Sequence, residues 1–371
     1  MMRERLERAF AVAGKELLGL RRDPNLVRLV ILAPIVQLLV FGYAVSTDVR
    51  NTRTFVVDHD HTAASRALVE SMTSSGYFRV TGRSDQSADL VAALDGGRAV
   101  VGLEIPAGYA ADLNSTRGVR VQLLVDGTNS NLATVALGYA EQIVRTHGLA
   151  TLPVQARPPV ELRERAWYNP ALLSRVFNVP GVIATIMMFV GLLLTALAVV
   201  REREVGTLEQ LMVSPITPAE LLVGKTLPFA AIALFDLVLI TTIALLWFRV
   251  PFTGNFLVLL LAALLFLLSA LGLGLLISTV SSTQQEAFLA TFMLFIPTML
   301  LSGFMFPVRS MPVVFQWLTL LNPLRHYLEI VRAVFLKAAG LDALWRQFTA
   351  LALMGTAVMV LAASRFRKTV A

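Results

Sequence analysis

Six apolar stretches, at residues 26–45, 182–200, 227–247, 256–277, 287–306 and 344–363, constrain this chain more than any other feature. A helix rises about 1.5 Å per residue, so about 20 apolar residues are what it needs to cross the hydrocarbon core of a bilayer. Each stretch is close to that length. The pattern predicts an α-helical polytopic membrane protein with six transmembrane helices.

Composition points the same way. The chain is 56% hydrophobic and 15% charged, with a mean hydropathy of +0.68, far more apolar than an average soluble domain. A net charge of +7 would suggest nucleic acid in a soluble protein. Here much of the excess flanks apolar runs, where it sets orientation in the bilayer, and no nucleic-acid partner is expected. Cysteine is absent, which excludes disulfides, thiolate catalysis and cysteine-based zinc sites.

Basic residues set the expected topology. Residues 1–25 read as a cytoplasmic amphipathic helix. Leu6, Phe10, Ala13, Leu17 and Leu20 recur at helical spacing, with Arg5, Arg8, Lys15 and Arg22 elsewhere around the wheel, which suits a helix lying at a membrane surface. Arg3, Arg5, Arg8, Lys15, Arg21 and Arg22 precede the first apolar stretch. The positive-inside rule therefore puts the N-terminus in the cytoplasm and Ser46 outside. Six crossings return the C-terminus, with Arg365, Arg367 and Lys368, to the cytoplasm.

Residues 46–178, between helices 1 and 2, have the composition of a soluble domain. Strands are expected at 54–58, 77–81, 98–105 and 119–126, and helices at 63–75, 84–94 and 132–147. The alternation predicts an inserted extracytoplasmic α/β domain. A connector with Pro153, Pro158 and Pro159 leads to Trp167-Tyr168-Asn169-Pro170. Asp58-His59-Asp60-His61 invites a metal reading. Two histidines two residues apart need further ligands, and a strand end, turn and helix cap explain the same residues. No metal is expected.

Residues 179–371 then hold helices 2–6, a cytoplasmic loop at 201–226 and an external segment at 307–341. In the external segment Phe315, Leu318 and Leu321, then Leu328, Val331 and Phe335, keep helical spacing around a break at Asn322-Pro323. This predicts a re-entrant helical hairpin at the outer leaflet. In the cytoplasmic loop, Glu202, Glu204 and Glu209 accompany Gly206-Thr207 and a helix-forming run at 208–213. Pro215 and Pro218 stop that run, and a second short helix is expected at 219–225. A helix–turn–helix with exposed acidic residues at the membrane face reads as a docking surface.

Two features invite chemistry. Gly224-Lys225-Thr226 looks like the end of the phosphate-binding loop G-x-x-x-x-G-K-[ST], but the first glycine would fall at Ala219 and no strand precedes it. No other stretch reads as a nucleotide-binding domain, so the chain is not expected to hydrolyse ATP by itself, and no catalytic residue is assigned. Asp236 is the acidic residue well inside an apolar stretch. Such a carboxylate suits contact with substrate or cation, a proton relay, or a structural hydrogen bond to Thr241 or Thr242.

The loop REREVGTLEQLMVSPITPAELLVGK at 201–225, WYNP at 167–170 with Val179-Pro180-Gly181, the segment LNPLRHYLEIVRAVFLK at 321–337 and KELLGLRRDP at 15–24 together resemble the type-2 ABC exporter permeases. The resemblance covers essentially the whole chain and is greatest to the multidrug or antibiotic efflux subgroup with a large extracytoplasmic domain. It implies a multi-pass permease of the plasma membrane, the inner membrane in a bacterium. A hydrophobic or amphipathic substrate would leave the cytoplasm or inner leaflet by alternating access. The chain would bind no cofactor; ATP and Mg would be used by partner ABC ATPase subunits. A second permease copy, the same chain or a paralogue, and an outer-membrane or periplasmic adaptor are further implied partners. Arg201, Glu202, Glu204, Gly206, Thr207 and Glu209 would couple to the ATPase. Asp236, Met187, Met188, Phe189, Phe292 and Phe295 are translocation-pathway candidates, since methionine and aromatic side chains suit varied apolar ligands. An ion- or proton-coupled secondary transporter, and a receptor or scaffold with an external ligand-binding domain, are the alternatives.

Overall fold

The computed structural model describes residues 2–22, 24–44, 51–113, 119–128, 130–151, 167–169, 173–206 and 217–368. The chain divides into two compact units, residues 1–46 with 166–371 and residues 47–165.

The larger unit is helical. It begins with α1 (Met2–Arg22) and α2 (Pro24–Ala44). After the second unit come α7 (Ser174–Val205), α8 (Pro218–Leu246), α9 (Phe256–Val280) and α10 (Gln284–Leu300), then α11 (Val313–Leu318), α12 (Pro323–Lys337) and α13 (Leu341–Lys368). Four of these helices, α7, α8, α9 and α13, are long and apolar enough to cross a membrane, and a shorter apolar run covers Val30–Tyr43 of α2. The chain is an integral membrane protein.

Helix α7 is the hub. It is buried along almost its whole length, as an all-round apolar helix must be, and α2, α8, α9, α10 and α12 all pack on it. Helix α9 approaches so closely that a Cβ at Gly274 would lie 2.8 Å from the Leu192 carbonyl oxygen. Only glycine permits that separation.

Helix ends follow local capping rules, and these shift several boundaries expected from the sequence. Residues 201–204 are the last turn of α7, not a loop. The helix stops only at Gly206, whose φ of 78° is left-handed. The short helix expected at 219–225 is the beginning of α8, which continues unbroken through Lys225. Thr217 and Glu220 form a capping box and Pro218 sits in the first turn, so the helix starts there and nothing stops it before the apolar run. The apolar stretch at 287–306 is helical only to Leu300. Pro297 lies in its last turn, and the chain then turns through Gly303, with φ of 84°. The break at Asn322-Pro323 is present, because the Asn322 side chain accepts from Leu324 N at 3.0 Å and caps α12. The run at 208–213 lies outside the described residues, as do Thr207, Glu209, Pro215, Pro170 and the Pro153, Pro158 and Pro159 connector.

The smaller unit holds a four-stranded sheet of β1 (Thr52–Asp58), β2 (Phe78–Ser84), β3 (Val101–Ile105) and β4 (Gln122–Val125) in the order β2-β1-β3-β4. β1 is parallel to both neighbours, with Val56 opposite Leu103, and β4 is antiparallel to β3. Helices α3 (Ala63–Ser74) and α4 (Ser87–Asp95) form the parallel crossovers, followed by α5 (Tyr109–Leu113) and α6 (Ser130–Thr151). Val56, Leu68, Met72, Leu103, Ile105 and Ala136 are buried in its core. Asp58 accepts from the backbone of Asp60 and His61 and from the Ser65 hydroxyl, while Thr62 caps α3. The Asp-His-Asp-His run is thus built into a turn and cap. α4 starts later than expected: Gln86 is its cap residue, and Ser84 closes β2 and hydrogen-bonds Asp89.

Candidate functional site

The last turn of α7 is the junction of the helical unit. Successive helix residues are rotated by about 100°, so neighbours there point to different partners. Glu202 turns inward. One carboxylate oxygen accepts from Lys225 of α8, and the other from Lys15 of α1 at 3.3 Å. The Lys225 side chain is fully buried and also lies 3.6 Å from Glu16 of α1. Burial pushes the Glu16 carboxyl above its ordinary value, with Lys225 opposing that rise. One turn before Lys225 on α8, Glu220 receives Arg8 of α1 through two hydrogen bonds, at 3.0 and 3.3 Å. Val12, Val199, Leu221, Leu222 and Leu275 supply the apolar packing around these ion pairs.

Arg203 and Glu204 point another way. Arg203 Nη1 donates to the carbonyl of Ser281, the C-cap of α9, at 2.8 Å. Glu204 accepts from the backbone N and the Nε2 of Gln284, the first residue of α10, at 2.8 and 2.5 Å. A carboxylate at a helix N-terminus satisfies an otherwise unpaired N–H and complements the helix dipole. Within four residues, α7 is therefore tied to α1, α8, the end of α9 and the start of α10. Arg201 and Gly206 are exposed at the same tip. Glu202 is thus not one of the outward-facing acids that the sequence suggests.

The other candidates are scattered along the spans. Met187 and Met188 are buried in the α7 core, and Met187 Sδ accepts from the Tyr327 hydroxyl at 3.1 Å. Phe189, half-buried, meets Phe292 and Phe295 of α10 with ring centroids 5.2 and 5.1 Å apart, so these three candidates do come together. Asp236 is fully buried on α8, and neither carboxylate oxygen has a hydrogen-bond partner among the described residues. The bond to Thr241 or Thr242 is not formed. The Thr242 hydroxyl donates to its own helix at the Val238 carbonyl, 2.7 Å away, and Thr241 Oγ1 has no hydrogen-bond partner among the described residues.

Sequence reasoning gave Lys225, Glu220, Arg8, Lys15 and Glu16 no part in this cluster: Lys225 reads there only as the end of a phosphate-binding loop, and Arg8 and Lys15 only as basic residues at a membrane surface. A lysine inside the first three turns of an apolar helix was the available signal, since such a charge needs a partner.

A family model described as "ABC-2 family transporter protein" matches residues 26–364. The chain is 34% identical over 364 residues to the probable multidrug ABC transporter permease YbhR of Escherichia coli K12, covering 98% of this chain and 99% of that one. It is 32% identical to the probable multidrug ABC transporter permease YbhS of the same organism, over 89% and 88% of the two chains. It is 28% identical to the inner membrane transport permease YhhJ, over 98% of each. With the helical hub, its charged tip and a family match across nearly the full length, the chain belongs to the ABC-2 family of transporter proteins.

Proposed function

We propose that this chain is the membrane-spanning permease subunit of an exporter driven by a separate ABC ATPase, moving a hydrophobic or amphipathic substrate out of the cytoplasm or inner leaflet. The observation that carries this reading is the tip of α7. Glu202, Arg203 and Glu204 join one short segment to four other helices. A push on that tip, or on residues 207–216 beyond it, reaches α10 through Glu204 and Gln284, and reaches α8 through Glu202 and Lys225. That is the connectivity a coupling element requires, with Arg201, Glu202, Glu204, Gly206, Thr207 and Glu209 as its residues.

In this reading α2, α7, α8, α9, α10 and α13 are the six spans, in a plasma membrane. Both termini are cytoplasmic and residues 47–165 are outside. Phe10, Leu17 and Leu18 of α1 are exposed while Val12 and Ala13 pack inward, which suits a helix lying on the cytoplasmic leaflet. The Phe189, Phe292 and Phe295 cluster and Asp236 border the substrate path, with Met187 and Met188 behind it. Two permease copies with two ATPases would alternate between inward- and outward-open states, with ATP use in the partner driving the cycle and the substrate's lower affinity for the outward-open state releasing it outside. ATP and Mg act in the ATPase partner.

The test is co-purification with a Walker-motif ATPase encoded beside this chain. We expect the ATPase to be retained by the native chain and lost when residues 207–216 are replaced by a glycine-serine segment of equal length, with the melting temperature of the permease unchanged. Retention of the ATPase by that variant overturns the reading. Transport that persists without ATPase and stops in Asp236→Asn would instead establish a proton- or ion-coupled carrier.

A further inference from the structure

At the end of α7 opposite the charged tip, a cavity of about 700 Å³ opens between the start of α7, the turn after α10, and helices α11 and α12. Phe177 and Glu202 are 25 residues apart on one helix, so this cavity lies about 37 Å from the coupling cluster. It belongs to a different part of the molecule.

Its charge is mainly positive: Arg309, Arg325 and Arg332 line it with Glu329. Arg332 reaches in from α12. Its guanidinium lies over the Phe177 ring, 3.7 Å from the centroid, and Nη1 donates to the Gly303 carbonyl at 3.1 Å. Nε and Nη2 are buried and have no hydrogen-bond partner among the described residues. Two further arginines line the cavity. Arg325 is already committed: Nε donates to Glu329 at 3.3 Å, and Nη1 to the Gln316 carbonyl at 3.3 Å and to the Thr319 hydroxyl. Glu329 in turn also accepts from Gln347 at 3.1 Å. That leaves Arg309, exposed at the rim, and Arg332, whose guanidinium is largely buried; neither has an ion pair among the described residues, and Glu329, the carboxylate that lines the cavity near Arg332, is already taken by Arg325 and Gln347. A buried guanidinium with idle donors is costly unless an acceptor reaches it. Beside Gln316, the rim carries exposed apolar side chains, with Val313 and Trp317 prominent.

We propose that this cavity binds the anionic headgroup of an amphiphile, with Arg332 as the buried anchor, Arg309 as the rim contact, and the Val313 and Trp317 surface taking the apolar body. Arginine suits this role because its fork can present two parallel donors to a phosphate or carboxylate. The anion can come from a lipid or from free phosphate in solution. The apolar rim favours the amphiphile. The inference stands apart from the coupling reading, and its test needs no ATPase.

The purified full-length chain is exchanged into detergent containing equal amounts of phosphatidylglycerol and phosphatidylcholine, and retained lipid is counted by native mass spectrometry. We expect preferential retention of phosphatidylglycerol, with the preference reduced about tenfold in Arg332→Gln and by a smaller factor in Arg309→Gln. Arg309 is exposed, so its variant tests the site even where Arg332→Gln fails to fold. A parallel arm adds inorganic phosphate alone. Equal retention of the two lipids, or a preference unchanged in Arg309→Gln and in folded Arg332→Gln, overturns the proposal. Binding of inorganic phosphate with no lipid retained also overturns it, by assigning the site to a free anion.

Discussion

Lys225 of α8 and Glu202 of α7 form an ion pair in which the lysine side chain is wholly shut off from solvent and the glutamate nearly so. A lysine so placed needs carboxylates opposite it, and two are there, Glu202 in contact and Glu16 at 3.6 Å. Lys225→Met leaves two part-buried carboxylates, Glu16 and Glu202, without the cation between them. We expect a loss of about 3–5 kcal/mol, read as a lower melting temperature in detergent, with part of it recovered by adding Glu202→Gln. A double variant no better than the single one would show that the two residues are not coupled.

Arg8 and Glu220 hold α1 to the start of α8. Arg8 is partly exposed, so the pair itself contributes little, about 1 kcal/mol or less. Glu220 does more, because it also closes the Thr217 capping box, accepting from Thr217 N at 2.9 Å. Glu220→Ala should therefore destabilise the protein by about 1 kcal/mol more than Arg8→Ala does. Equal melting temperatures for the two variants would count against the cap.

These pairs mark where the sequence was legible and where it was not. Spans at 182–200, 227–247, 256–277 and 344–363 are one-dimensional signals, since an apolar run records its environment residue by residue, and each coincides to within one residue with part of a helix long enough to cross. The strand at 54–58 and the cap at Thr62 are local in the same sense. The ion cluster is not. Glu16, Glu202 and Lys225 meet only after three helices fold together, and no spacing rule relates such positions. The early end of α10 was masked because Leu300 to Phe306 remain apolar after the backbone has turned.

Asp236 contributes in the opposite direction from Lys225. It is buried with both carboxylate oxygens unpaired among the described residues, so it costs the fold about 1–3 kcal/mol or more. Asp236→Leu should raise the melting temperature. If Asp236 borders the substrate path, the same variant should lose transport while gaining stability. A lower melting temperature would mean that the carboxyl has a partner in the assembled protein.

Gly274 is the point where α9 touches the α7 backbone. An added methyl would meet the Leu192 carbonyl oxygen at 2.8 Å and Thr195 Cβ at 2.9 Å. Neither is the flexible end of a long side chain, so the helices must separate. Gly274→Ala is expected to cost about 1–3 kcal/mol. Ala at Gly14, where an added Cβ meets nothing within 4 Å, is the control and should be neutral or slightly stabilising in α1. Similar melting temperatures for the two variants would refute the close approach.

In the smaller unit, Glu104 of β3 accepts from the Ser87 hydroxyl at 2.5 Å and contacts His59 Nε2 at 3.2 Å. The Ser87 hydrogen bond, followed by His59, holds the Glu104 carboxyl below its ordinary value. A carboxyl with a lowered folded value stabilises the fold above its unfolded value, and that contribution is lost as pH falls through the folded one. The sheet should therefore weaken on acidification below about pH 4. Ser87→Ala removes the main cause of the shift, so it should lower stability at neutral pH and flatten the loss at acid pH. Hydrogen exchange at the Val101–Ile105 amides of the full chain, corrected for the intrinsic pH dependence of exchange, checks this. Native chain and variant should differ at pH 7 and draw together on acidification, and a difference that stays constant as the pH falls would exclude Glu104 as the titrating group.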